Sequence, residues 1–425
     1  PSPPPLSDPD RLPTTTAFTR VVAPLAATLA LCNADRICMA VAVLPMAAEF
    51  GWPPAVVGRV QSAFLWGYTA TQLLGGALAD KHGGRAVLAA GIAAFSVAQA
   101  ITPLALSPAV ATAGFALPAL LAARAAVGAG EGVALPSMSA LVAAHVPSKA
   151  RATALGASFA GFHCGNLLGL ALSPLLLAAV GWRGLFAVFG VVGGPLLAAW
   201  LALVPRRAGG VQPTTPTPTP PPSPATLLSH PATWAIIAAN VANHWGYFVY
   251  LTWLPSFFAR SYGASAASAS ALTFGPWVAM AAGSAAAGVL ADAAVSRGAP
   301  VRSVRVGVQT VAFLVPAAVL ALIALRGPSL PPTLASALFA AALGASSLGQ
   351  AGFVANMGDV APSGAGAMFG LCNTFGASAG IAGVAAAGAI VQATGSFAPL
   401  FWTTAGLYVV GAAVFAVWCS GERVV

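Results

Sequence analysis

Apolar residues run along this chain in long blocks. About twelve of these blocks reach ~20 residues, enough for an α-helix to cross a ~30 Å hydrocarbon core. Only helices and closed barrels satisfy their backbone in lipid, and these runs are too long and too uniformly apolar for barrel strands. The pattern predicts an all-α membrane protein of twelve transmembrane helices, with spans at 21–46, 57–79, 86–105, 113–143, 152–179, 183–204, 232–258, 268–291, 303–325, 333–357, 364–392 and 398–419.

One tract interrupts the blocks. Pro205 to Pro224 reads PRRAGGVQPTTPTPTPPPSP, whose prolines favour extended polyproline conformations and in which nothing can build a core. It divides the chain into halves of about six spans each, and the halves resemble each other. GALAD at Gly76 to Asp80 is followed by Arg85, and GVLAD at Gly288 to Asp292 by Arg297, an offset of 212 residues. Val146-Pro147 and Ala361-Pro362 recur at an offset of 215, as do Phe186 and Phe401. A twofold repeat of six spans is the trace of a parallel-repeat transporter with its site between the halves near the midplane. The expected organisation is a disordered segment over 1–20, a six-helix bundle over 21–204, a linker over 205–229 and a second six-helix bundle over 230–420.

Composition sharpens the class. The chain of 425 residues is 58% hydrophobic and 6% charged, against roughly 25% charged in a soluble protein. Its mean hydropathy is +0.85. A net charge of +9 would suggest nucleic acid in a soluble chain, but here it is topological and no nucleic-acid partner is expected. Lys81, Arg85, Lys149, Arg151, Arg206, Arg207, Arg297, Arg302 and Arg305 fall in the connections after the second, fourth, sixth and eighth spans. The opposite side has Arg59, Arg183, Arg260 and Arg326, so both termini belong on the cytosol-like face. The five cysteines lie in apolar segments and are odd in number, which disfavours a disulfide framework. The chain opens PSPPPLSDPDRLPTTT without a Met, so removal of an upstream segment such as a transit peptide is expected.

Charges at lipid depth are costly, and each is a functional-site hypothesis by default. Arg124 and Glu131 sit in the fourth span, seven residues apart on one helix face and ~10 Å apart along its axis. A guanidinium stays charged and offers a planar fork to phosphate or carboxylate, so Arg124 is a candidate anion anchor; its alternative is an ion pair with Glu131 or Asp35. Glu131 lies among glycines in GAGEG, a setting that brings helices close and desolvates the carboxyl, as proton uptake near neutrality requires; a static hydrogen-bonded carboxyl is the alternative. The first span carries Asn33, Asp35 and Arg36. The two adjacent charges point about 100° apart and need separate partners, either in an interhelical ion pair or in a substrate and proton role.

Asp80, Lys81, Gly84 and Arg85 form a charged loop whose expected role is conformational, with Gly76, Asp292 and Arg297 as its other members across the repeat. The seventh span, NVANHWGYFVYLTWLP, gathers Asn240, Asn243, His244, Trp245, Tyr247 and Tyr250 where they could line a cavity. His244 is either titratable or a packing group. GASAG at Gly376 to Gly380 matches a hydrolase elbow but lacks a preceding strand and reads as small-residue helix packing. No Walker A, HExxH, CxxC or metal-spaced carboxylate cluster is present in the sequence. The expectation is therefore no enzyme, no cofactor and no metal.

GGALADKHGGRAVL resembles the signature loop after the second helix of the major facilitator superfamily. CNADRICMAVAVLPMAAEFGW, QSAFLWGYTATQLLGGALAD, ARAAVGAGEGVALPSM, HWGYFVYLTWLP and LCNTFGASAGIAG resemble the anion-cation symporter (solute carrier 17) family, and within it the plant phosphate transporter 4 anion transporters. The likeness runs from about Arg20 to Glu422 without the linker. It implies proton-, sodium- or potential-driven anion movement, with inorganic phosphate as the expected substrate and an organic anion such as ascorbate as the alternative. It implies Asp35 and Glu131 as coupling residues for H⁺ or Na⁺, and Arg36 and Arg124 as anion-binding residues. Asn33, Tyr68, Asn243, Trp245 and Asn373 complete the candidate substrate-binding set. Plant members are mostly plastid proteins of thylakoid or envelope. Asn243 stands where vesicular glutamate members have Arg, and their second-span His is missing, which disfavours glutamate. A lipid-embedded monomer is expected, with a non-transporting anion sensor on the same scaffold as another reading.

Overall fold

The computed structural model describes residues 12–147, 150–205, 223–361 and 365–424. The main helices are α1 (Ala23–Phe50), α2 (Pro54–His82), α3 (Gly84–Ile101), α4 (Ala116–Gly132), α5 (Ala134–His145), α6 (Arg151–Leu203), α7 (Pro231–Tyr262), α8 (Ala266–Ser296), α9 (Val301–Arg326), α10 (Pro332–Ser346), α11 (Phe353–Val360), α12 (Ala365–Thr394) and α13 (Ala398–Trp418). The protein is an all-α, multi-pass membrane protein. Among the described residues, nine helical segments are long and apolar enough to span a bilayer. Large apolar side chains such as Trp66, Leu74, Val289, Leu325 and Val410 stand exposed, as lipid contact requires.

Three differences from the sequence reading have local causes. Helix begins at Thr14 rather than after residue 20: Thr14–Ala17 runs through a π-helical turn, Phe18–Val22, into α1, and burial of Ala17, Val21 and Val22 holds it. The fourth span is broken into α4 and α5 at Val133. Pro136 explains the break, since its ring removes an N–H and crowds the carbonyl of Gly132. The tenth span is likewise divided, with the 3₁₀ turn Ser347–Gln350 between α10 and α11. There Gln309 Oε1 accepts the Phe353 N–H at 3.0 Å, taking up a donor freed by the break. α6 covers both the fifth and sixth spans, parted at Gly181, where φ is 66° and ψ 178°. A left-handed φ is costly for any residue with a Cβ. The linker expected over 205–229 lies outside the described residues from 206 to 222; at its end, Ser223 caps a short helix, Pro224–Leu228.

Contacts divide the chain into two compact units. The first comprises the chain up to Asp35, Gly67–Asn166 and Phe186–Gly210. Its helices approach at small residues: a Cβ on Gly91 would lie 2.6 Å from the Gly130 carbonyl, and one on Gly130 would lie 2.6 Å from the Phe95 nitrogen. Arg85 fastens the end of α6 by donating from Nε to the Val204 carbonyl and from Nη2 to that of Leu201, both at 2.7 Å. Trp200 Nε1 returns a bond to the Arg85 carbonyl.

The second unit comprises Arg36–Trp66, Leu167–Leu185 and Val211–Val425. Arg302 repeats the clasp on α13, with Nε on the Cys419 carbonyl and Nη2 on that of Ala416, both at 2.8 Å. Arg305 pairs with Asp359 at 2.8 Å. The start of α2 meets the end of α12: the Ala55 N–H donates to Gln392 Oε1 at 3.1 Å, and a Cβ on Gly58 would lie 3.1 Å from the Val384 carbonyl. A Cβ on Gly388 would collide with the Pro54 carbonyl. Glu49 takes Trp182 Nε1 at 2.6 Å and Arg183 Nη2 at 2.7 Å, and the Arg183 guanidinium lies over the Trp182 ring.

Candidate functional site

The polar interior of the first unit is built from three helices. α1 presents Asp35, α3 presents Gln99 and α4 presents Arg124; Asp35 and Gln99 are fully buried, and Arg124 is 2% exposed. Arg124 Nη1 donates to Gln99 Oε1 at 3.0 Å, and Gln99 Nε2 reaches Asp35 Oδ1 at 3.5 Å, the long limit of a hydrogen bond. The amide orientation follows from its neighbours, oxygen towards the cation and nitrogen towards the carboxylate.

Glu131 is fully buried two turns beyond Arg124 on the same helix. The glycines beside it act as GAGEG suggests. Gly130 lets α3 approach, and a Cβ on Gly132 would meet the Tyr68 carbonyl and Thr71 Oγ1 on α2, so the helices close around the carboxyl. Tyr68 itself is buried on α2. Asn33 donates Nδ2 to the Leu29 carbonyl one turn back, at 3.0 Å, while its buried Oδ1 has no partner among the described residues.

In the second unit, Arg36 lies with its guanidinium carbon 4.9 Å from the centroid of the Phe64 ring, within cation–π range. α7 and α12 bring His244 and Asn373 together, with Nε2 3.1 Å from Asn373 Oδ1 and Nδ1 3.1 Å from the Asn240 carbonyl. A carbonyl partner fixes a proton on Nδ1. A neutral ring then accepts at Nε2 from the Asn373 amide, whereas an imidazolium donates to its oxygen, and the amide serves either form by turning over. Trp245 Nε1 donates to Thr404 Oγ1 on α13 at 3.1 Å. Asn243 is half-buried.

The loop residues separate. Arg85 makes the clasp already described, and Gly84 packs the start of α3 against α5. Gly76 and Asp80 lie within α2. Asp292 and Arg297 are exposed. The side chain that repeats the contacts of Arg85 belongs to Arg302, 217 residues on, not to Arg297. Gln99, Thr404 and Arg302 are the contributors that sequence reasoning missed. Gln99 was the most accessible of them, as the one amide in the block AFSVAQAIT.

The family profile of the Major Facilitator Superfamily matches residues 25–304. The chain is 40% identical to "Probable anion transporter 3, chloroplastic" of Arabidopsis thaliana, over 95% of this chain and 80% of that protein. It is 37% identical to "Sodium-dependent phosphate transport protein 1, chloroplastic" of the same plant, over 93% and 78%. To the Arabidopsis "Ascorbate transporter, chloroplastic" it is 35% identical, over 93% and 73%. The crystal structure of a D-xylose-proton symporter superposes with a TM-score of 0.75 at 17% identity, covering 96% of this chain and 99% of that one, a likeness of fold. The chain carries a transporter fold and not an enzyme's: it belongs to the major facilitator superfamily and is homologous to the chloroplastic anion transporters of plants.

Proposed function

We propose that the protein is a secondary active transporter that moves a small anion, foremost inorganic phosphate, by alternating access with H⁺ or Na⁺ coupling. The observation that carries this reading is the buried chain Asp35–Gln99–Arg124 with Glu131 beyond it on the same helix. A guanidinium at this depth can hold an oxyanion, and two buried carboxyls on neighbouring helices can take up and release a cation. In the proposed assignment Arg124 and Arg36 hold the anion, assisted by Asn33, Tyr68, Asn243, Trp245 and Asn373, while Asp35 and Glu131 handle the coupling ion. The conformational equilibrium must differ with both ligands bound, or coupling would fail.

The nine apolar segments, the division of α6 at Gly181, and the long helices α2 and α7 support twelve spans in two repeats, 21–204 and 230–420. The polar side chains of α2 and α7 lower their hydropathy below that of the other spans. The names of the relatives support a plastid membrane and favour phosphate, with ascorbate as the second reading.

The test is uptake of labelled phosphate into proteoliposomes under a pH gradient, a sodium gradient or neither, with unlabelled ascorbate as competitor. Gradient-stimulated phosphate flux is expected. Flux of ascorbate in its place would move the assignment to the organic anion, and no flux of either in folded protein would favour a sensor. Arg124→Ala should abolish flux. Glu131→Gln should abolish gradient-driven accumulation while leaving phosphate–phosphate exchange measurable; retained accumulation would remove the coupling role of Glu131.

A further inference from the structure

The second unit holds a cavity of about 590 Å³ lined by the end of α7, the end of α9 and the turn from α12 into α13. Two arginines line it, Arg260 in the last turn of α7 and Arg326 in the last turn of α9. They are two of the four basic residues that the charge pattern assigns to the face opposite the basic loops. Another of the four, Arg183, has a carboxylate partner in Glu49 at 2.7 Å. No acidic residue is among the described residues lining the cavity. The ends of α7 and α9 supply partial negative charge that favours one guanidinium each, but two like charges facing one cavity leave a net positive potential.

The rest of the wall suits an anion as well. The N-terminus of α13 opens onto the cavity at Phe397 and Ala398, the positive end of a 21-residue helix. Ser396 Oγ accepts the Ala398 N–H at 3.1 Å, and its own hydroxyl proton is left to donate. Beneath lie Phe257, Phe397 and Phe401, all buried, with ring centroids 5.3–6.1 Å apart. Beside them Leu325 is exposed in the manner of a lipid-facing side chain. A cationic rim over an apolar floor matches an oxyanion carried on, or next to, an acyl chain.

We propose that this cavity is a second anion site, separate from Arg124, which binds a phosphate-like oxyanion between Arg260 and Arg326. The oxyanion is either the headgroup of an anionic phospholipid or free inorganic phosphate.

The full chain, purified and placed in nanodiscs, tests this by its thermal midpoint. One arm replaces part of a phosphatidylcholine bilayer with phosphatidylglycerol; the other adds inorganic phosphate to pure phosphatidylcholine. Both are run in wild-type and Arg124→Ala protein, so that occupation of the proposed transport site is subtracted. A ligand of the folded state raises the midpoint by mass action. The expected result is a rise in one arm that persists in Arg124→Ala, disappears in Arg260→Gln/Arg326→Gln, and returns in part in Arg260→Lys/Arg326→Lys. A rise with lipid alone identifies the headgroup, and one with phosphate alone the free ion. Should the double glutamine variant fail to fold, Arg326→Gln alone should weaken the half-saturating ligand concentration about tenfold, the value of one charge-assisted hydrogen bond. No rise in either arm, or a rise and an affinity unchanged in the glutamine variants, overturns the proposal. Failure of phosphate transport would leave this result untouched, since it reads binding at other residues.

Discussion

Gln99 stands between a carboxylate and a guanidinium on neighbouring helices, and an amide suits that position because it can donate to one and accept from the other without adding charge. Leucine of similar volume would leave Arg124 Nη1 without its Gln99 acceptor and Asp35 Oδ1 without the Gln99 donor. Hydrogen bonds to charged groups are worth ~1.5–3 kcal/mol. Gln99→Leu should therefore fold, yet raise the KM for the transported anion about tenfold or more, as measured in proteoliposomes. An unchanged KM would show that anion binding does not depend on the Gln99 bridge. The charges of this network were legible in the sequence because ionisable groups at lipid depth are conspicuous. Gln99 was not, because a neutral amide barely perturbs an apolar block and its role depends on which helices meet. The same reason hid Thr404, whose hydroxyl also serves its own helix through the Leu400 carbonyl. At the other extreme, GAGEG announced both a buried carboxyl and close helices, and the contacts of Gly130 and Gly132 show both.

At the scale of elements, the fourth and tenth spans share an interruption, at Val133 and at Ser347–Gln350, 214 residues apart at its start. One break follows from a proline, and at the other a glutamine from α9 takes up the freed donor, so the two expected spans break at matching positions while the chemistry differs. Hydropathy alone does not see such a break, because neither half-helix becomes less apolar. The parting of the fifth and sixth spans was legible, since Gly181 falls in the gap left between 179 and 183. The contact of α2 with α12 leads to a prediction of its own. Gly388→Val would drive a side chain into the Pro54 carbonyl and keep these helices apart. Transport should fall at least tenfold, and a cysteine placed at Ala55 should react faster with a membrane-impermeant maleimide. Wild-type flux in that variant would show that the contact does not need to form during the cycle.

At the scale of the whole molecule, the twin clasps of Arg85 and Arg302 are what the expected repeat would produce. Each guanidinium takes two carbonyls, Arg85 at the end of α6 and Arg302 at the end of α13, the orphan acceptors of a helix C-terminus. GALAD and GVLAD led the sequence reading to expect a repeat with Arg297 as the counterpart of Arg85. Motif alignment fixes the loop's register, and a shift of a few residues within a loop alters no helix. Arg85→Ala and Arg302→Ala should each cost ~1–3 kcal/mol. Lying in different units, the two losses should add, as read from thermal midpoints of single and double variants.

The meeting of α2 and α12 also makes the protein sensitive to the activity of water. When that contact parts, the Ala55 N–H and Gln392 Oε1 must each find a solvent molecule in place of one another. Parting the helices is thus a hydration reaction as well as a movement. A solute too large to enter the opened space competes for that water and favours the closed arrangement. Raising the concentration of such a solute on that face should slow turnover in proportion to the number of waters admitted, which makes osmotic pressure a gauge of how far the helices separate.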